Sequence, residues 1–111
     1  MNEIKLYEDK IEYKKLVIEK DQKEIARCYV FFIKNDLHSE QYALMEDVFV
    51  DEKYRGHGLG TVLVKKAIEL AKEEGCYKII LTSRFGKEHV HQWYEKLGFK
   101  KWGYEFRTDL V

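Results

Sequence analysis

Arg55-Gly56-His57-Gly58-Leu59-Gly60 lies between an apolar stretch ending at Val50 and a run of helical spacing that starts at Leu59. Glycines at alternate positions remove side chains where a strand hands over to a helix, so backbone N–H groups can approach a ligand closely. The first N–H groups of a helix have no partner within it, and they sit at the positive end of its dipole. Together they describe a site for an anion, most simply a phosphate. The spacing excludes two common phosphate loops. A G-x-G-x-x-G fingerprint would need glycine at Thr61, and no Gly-Lys-Ser/Thr ending is present. Taken alone, the glycines also suit a turn that merely lets a helix pack.

A second stretch, Trp93-Tyr94-Glu95-Lys96-Leu97-Gly98-Phe99, bears on that choice. Arg55, Gly58 and Gly60 form an R-x-x-G-x-G pattern that resembles the acetyl-coenzyme A pyrophosphate loop of the GNAT superfamily of N-acetyltransferases. The second stretch is similar to the F-Y-E-K-L-G-F signature that closes the same coenzyme A site. The resemblance covers roughly residues 43–99. Met45-Glu46-Asp47-Val48, Gly75-Cys76-Tyr77-Lys78-Ile79-Ile80-Leu81 and Tyr94-Glu95-Lys96 look, more narrowly, like the glucosamine-6-phosphate N-acetyltransferase branch.

The resemblance implies an acetyl-coenzyme A dependent N-acetyltransferase, with acetyl-CoA as co-substrate, no metal, and a small-molecule or peptide amine as acceptor. An amino sugar phosphate is the first candidate. It implies that Val48, Phe49 and Val50 pair by backbone with the pantetheine arm, much as a peptide adds to a sheet edge. The diphosphate falls to Arg55, Gly56, His57, Gly58, Leu59, Gly60 and Thr61. Tyr94 is the implied general acid, its phenol giving a proton to the departing thiolate; read by periodicity alone it is a core aromatic. Glu46 and Asp47 are candidates for taking the amine proton. Regular strand alternation allows only one of them to face the acceptor, with Glu46 favoured, and both also suit solvated surface. Ser83, Arg84 and Lys87 could touch acceptor or cofactor, or be surface charge. Lys87 and Val90 depart from the asparagine and alanine common in the family. A function of another class, a non-catalytic acetyl-coenzyme A binding module that regulates a partner, stays open.

The elements that must position these residues are legible in order. Residues 1–12 fit either a short strand or a frayed helix. Leu16-Val17-Ile18 opens a β-branched run, Asp21 and Gln22 are turn residues, and Ile25–Ile33 is a strand, so a hairpin is expected. Asn35–Glu40 reads as a turn and Tyr42–Val50 as a third strand, which completes an antiparallel meander. Leu59, Val62, Leu63, Ala67, Leu70 and Ala71 mark the inner face of a helix that stops at Gly75. Tyr77–Thr82 reads as a strand covered on both faces and parallel to the third, through a right-handed crossover. Lys87–Lys96 predicts a second helix, with Phe99–Trp102 and Tyr104–Leu110 strand-like beyond it. The fold class expected is α+β around a mixed sheet, a GNAT-like antiparallel meander followed by a β-α-β crossover. Its N-terminal region is shortened, since the residues before Leu16 are too few for the two helices that usually roof the acceptor pocket.

Composition sets the outer limits. One domain over residues 1–111 buries roughly two thirds of its unfolded surface, enough for one core. Basic and acidic residues balance at 20 each, so no global field favours nucleic acid or an anionic membrane. No apolar run spans a bilayer and no leader pattern opens the chain, which makes a cytoplasmic protein the expectation. Cys28 and Cys76 fit packed, reduced thiols, and His89 and His91 point apart on a helix rather than toward one metal. Unpaired sheet edges make a homodimer plausible in this reading.

Overall fold

The computed structural model describes residues 2–111; Met1, the first position of the 1–12 segment, lies outside the described residues. The expected hairpin forms between β1 (Glu12–Lys20) and β2 (Lys23–Ile33). Asp21 and Gln22 both take left-handed dihedrals, φ 52° and 67°, and this two-residue turn matches the right-handed twist of the flanking strands. Residues 2–11 have no regular structure. A second turn leads to β3 (Tyr42–Val50), antiparallel to β2. The first three strands are therefore the predicted meander.

A short 3-10 turn, Glu52–Tyr54, reverses the chain beyond β3 and delivers it to α1 (Leu59–Glu73). After α1 comes β4 (Ile79–Ile80), which lies parallel to β3 with Ala43 opposite Ile79 and Leu44 opposite Ile80. The sheet is mixed and its order is β1-β2-β3-β4. Last is α2 (Glu88–Lys96).

Pleat alternation sorts the side chains. Ala26, Cys28, Val30 and Phe32 of β2, with Ala43 and Met45 of β3, are buried against Leu63, Val64, Ala67 and Ala71 of α1. Leu16 and Ile18 of β1 and Trp93, Tyr94 and Leu97 of α2 close the edges of this one core. The other face of the sheet carries Tyr13, Tyr29, Phe31 and Phe49. Tyr13 stacks obliquely on Tyr29 and Phe31, at ring separations of 5.9 and 5.3 Å.

Three expectations need correction. Val62 is 56% exposed while Val64 is buried, because the inner arc of α1 is centred one residue further round than the periodicity suggested. Tyr77–Thr82 shrinks to a two-residue strand at the sheet margin, with Tyr77 and Ile80 exposed, so it is not covered on both faces. Phe99–Trp102 and Tyr104–Leu110 form no ladder at all. Their alternation is that of a strand, but a strand needs a neighbour for its backbone groups, and none lies beside them.

Candidate functional site

Residues 55–61 are held open by local geometry. The Asp51 carboxylate accepts from the Lys53 N–H at 2.9 Å, and the Asp51 carbonyl accepts from the Tyr54 N–H at 2.9 Å, which fixes the turn out of β3. The Arg55 Nε–H donates to the Val50 carbonyl at 2.9 Å, tying the loop back to the strand. Its guanidinium lies 5.9 Å from the Phe49 ring centre. Gly58, at φ 81°, caps α1 in the left-handed region, where any other L-residue but asparagine or aspartate would be strained.

The cap has no side chain to offer, and the first turn of α1 holds no acidic residue. The first helical bond is from the Val62 N–H to the Gly58 carbonyl. Among the described residues, the N–H groups of Gly56, His57, Gly58, Leu59, Gly60 and Thr61 donate to no protein acceptor. All of these residues but His57 belong to an open cleft of about 340 Å³ whose walls are Val50, Tyr54, Arg55, Gly56, Gly58, Leu59, Gly60, Thr61 and Trp93. Unpaired donors at a helix N-terminus, without a competing carboxylate, suit an anion with several oxygens, such as a diphosphate.

The second half of the site is the end of β3. Strand β4 pairs only with Ala43 and Leu44, so from Met45 to Val50 the far side of β3 has no neighbour in the sheet. The register with β2 slips here: Glu46 faces Tyr29 and Phe49 faces Arg27, leaving Asp47 and Val48 opposite Cys28. This is a β-bulge, and Asp47 carries its strain at φ 54°. The expectation that alternation lets only one of Glu46 and Asp47 face the acceptor side therefore fails, because a bulge breaks the alternation at that pair. Both side chains are exposed, and neither is in an ion pair among the described residues. Beyond the bulge the Asp51 N–H is given to the Ile25 carbonyl. In an antiparallel ladder, bonding groups of alternate residues point alternately to either side. Those of Val48 and Val50 thus aim away from β2, into the gap.

Tyr94 packs against the core and is not among the cleft walls, which include its neighbour Trp93. It is half-buried on α2, packed on Trp93 and edge-on to Phe99, with ring separations of 4.7 and 5.7 Å. Burial raises its phenol pKa above the ordinary value, and the nearby Cys28 thiol acts in the same direction. Cys28 sits opposite the bulge in β3. The Tyr94 hydroxyl makes no protein hydrogen bond, yet no buried side-chain N or O among the described residues is left unsatisfied. The hydroxyl therefore retains access to solvent, which a proton donor requires.

Trp93, next to it, opens the second signature and is a wall residue of the cleft, a role not assigned to it individually from the sequence. Its indole Nε1–H donates to Thr61 Oγ1 at 3.0 Å, and its ring lies 3.3 Å from where a Cβ on Gly60 would stand. One side chain thus joins α2 to the first turn of α1. The signal that could have revealed it was the polar edge of a tryptophan within an otherwise apolar face. Tyr54, also in the wall, had no such signal. The remaining candidates stay outside the cleft: Ser83, Arg84 and Lys87 are exposed, and the Arg84 carbonyl accepts from His91 Nε2 at 2.9 Å. Cys28 and Cys76 are free thiols. Among the described residues no three His, Cys, Asp or Glu side chains could together hold a metal ion, and no helix is long and apolar enough to cross a membrane.

The model of the acetyltransferase (GNAT) family matches residues 2–99. Glucosamine 6-phosphate N-acetyltransferase of Trypanosoma brucei brucei is 46% identical over 66 residues, covering 60% of this chain and 43% of that protein. Human N-alpha-acetyltransferase 30 is 37% identical over 68 residues, covering 60% of this chain and 19% of that protein. The chain therefore spans less than half the length of either relative. In three dimensions, the crystal structure of glucosamine-6-phosphate N-acetyltransferase from Arabidopsis thaliana superposes with a TM-score of 0.80 at 28% identity, over 89% of this chain and 67% of that one.

Proposed function

The chain belongs to the acetyltransferase (GNAT) family, and from that premise we propose that it transfers the acetyl group of acetyl-CoA to a primary amine. The observation that carries the reading is the row of six unpaired N–H groups from Gly56 to Thr61, set beside the unpaired edge of β3. The row accepts the diphosphate, and the backbone groups of Val48 with the N–H of Val50, whose carbonyl already accepts from Arg55, take the pantetheine amides in the manner of an added strand. Arg55, already bonded through Nε, has its remaining guanidinium N–H groups for a phosphate oxygen.

Bound acetyl-CoA supplies a thioester. The amine nitrogen attacks its carbonyl carbon, the C–S bond breaks, and the sulfur leaves as a thiolate. Tyr94 gives that thiolate its hydroxyl proton, and the raised pKa keeps the proton on the phenol across the physiological range. The proton lost by the amine passes to Glu46 or Asp47, directly or through water. Holding amine and thioester in line supplies much of the rate, since positioning of this kind is worth about 7–11 kcal/mol in favourable cases.

The relatives divide over acceptors: one is named for glucosamine 6-phosphate, another for an N-alpha position. We take the amino sugar phosphate as the first acceptor class to test. The experiment is release of free coenzyme A thiol from acetyl-CoA across amino sugar phosphates, peptides with free N-termini and simple amines. Release with one acceptor class supports the assignment. Binding of acetyl-CoA with no release above the blank for any amine would replace it with a regulatory binding module.

A further inference from the structure

Trp93 stands where the F-Y-E-K-L-G-F signature carries phenylalanine, so the chain has at this position one N–H group that the pattern lacks. That group donates to Thr61 Oγ1 at 3.0 Å, from α2 to the first turn of α1, and both residues are walls of the cleft. The six-membered ring of the indole lies against Gly60, 3.3 Å from where a Cβ would stand. It is thus seated on bare backbone, beside the unpaired N–H groups of Gly60 and Thr61.

The bond has a direction. An indole N–H is a donor only, whereas a hydroxyl has one proton to give and two lone pairs to receive on. With one lone pair taken by Trp93, the Thr61 hydroxyl still has its proton to give. A threonine within a helix can return that proton to a carbonyl one turn back. Among the described residues Thr61 makes no such bond, and its one side-chain partner is Trp93. We propose that Trp93 is a positioning residue for the cofactor: its N–H fixes the Thr61 side chain as a donor toward the cleft, where the hydroxyl joins the main-chain N–H groups on the diphosphate of coenzyme A. A hydroxyl that accepts from one group donates more strongly to the next, and the ring on Gly60 keeps water from that side of the seat. Phenylalanine at this position would supply the ring without the orientation. The inference rests on the acetyl-CoA reading and adds to it a side chain from outside the glycine loop.

The test is calorimetric titration of coenzyme A, with pantetheine, which carries no phosphate, as the control ligand. The proteins are wild type, Trp93→Phe, Thr61→Val, Thr61→Ser and the double variant Trp93→Phe with Thr61→Val. Thr61→Val, near in shape and without a hydroxyl, weakens coenzyme A binding at least about 10-fold, the worth of a hydrogen bond to a charged group. Trp93→Phe, which installs the residue of the signature, weakens it about 3- to 10-fold, since a freed hydroxyl samples three staggered wells and is no longer polarised. The double variant falls within about twofold of Thr61→Val, because Trp93 acts only through that hydroxyl. Thr61→Ser restores the hydroxyl and returns affinity to within about threefold of wild type, while pantetheine affinity stays within about twofold throughout. Additive losses in the double variant overturn the inference and leave the acetyl-CoA reading standing, as does a Thr61→Val protein that binds coenzyme A like the wild type. Equal losses for pantetheine would make the pair a structural strap between two helices and overturn it too. A wild type that ignores coenzyme A removes both the inference and the reading beneath it.

Discussion

Gly58 offers the sharpest separation of backbone strain from side-chain crowding. A Cβ placed on it meets nothing within 4 Å, so Gly58→Ala introduces no clash; its whole effect comes from holding alanine at φ 81°. That conformation costs about 1–2 kcal/mol for an ordinary L-residue. At roughly 4–8 °C per kcal/mol for a domain near this size, the melting temperature should fall by about 4–16 °C. Part of the strain can be released by rotating the loop, which turns the Gly58 and Leu59 N–H groups away from the cleft. Losing one charge-assisted bond of about 1.5–3 kcal/mol weakens coenzyme A binding about 10- to 150-fold. Gly58→Asn, which tolerates the left-handed region, should lie between wild type and alanine on both measures. Differential scanning calorimetry with a parallel calorimetric titration of coenzyme A reads both. The reasoning is refuted if alanine melts with the wild type, or if asparagine is as poor as alanine.

Gly60→Ala tests crowding instead. Alanine gains about 1 kcal/mol of helix propensity, but its methyl stands 3.3 Å from a Trp93 ring held by Thr61, so stability should change by under about 1 kcal/mol while coenzyme A binding weakens; calorimetry reads both terms. Tyr94→Phe should leave coenzyme A affinity within about twofold and lower turnover at least about 100-fold, the usual worth of a general acid, in a thiol-release assay run with the accepted amine. Cys28, pushed up to about 11 by burial, is favoured as the neutral thiol in the folded chain, so its contribution is complete below the unfolded pKa of 9.0 and is lost as pH rises through 11. Urea titrations at pH 8 and pH 11 should differ by at most about 2.7 kcal/mol from this group, and Cys28→Ala should remove that share of the pH dependence.

The parts of the fold legible in the sequence are those whose physics is local. The Asp21-Gln22 turn, β3 and the helix ending before Gly75 follow from turn chemistry and from period, and all three appear where expected. The open loop was legible for the same reason: Gly56 and Gly58 ahead of a helix and Gly60 in its first turn leave N–H groups without side-chain caps, whatever the rest of the chain does. What could not be read depends on distant neighbours. Tyr77–Thr82 has the composition of an inner strand, but an apolar run does not reveal whether a further strand will flank it. The tail from Trp102 to Leu110 has the right alternation and no neighbour within its own chain. The bulge at Asp47 arises from how β2 and β3 fit together, and no periodicity of β3 alone announces it. Trp93 was legible as part of the second signature, but its bond to Thr61 joins residues 32 apart in sequence.

The central claim, that the turn into α1 holds the diphosphate of coenzyme A, is tested most directly by following backbone amide resonances during a coenzyme A titration. The account predicts that the N–H signals of Gly56 to Thr61 move together, saturably and with one dissociation constant, accompanied by the Trp93 indole and the Val48–Val50 amides. Saturating coenzyme A that leaves those signals in place, or that moves only resonances elsewhere in the chain, would contradict it.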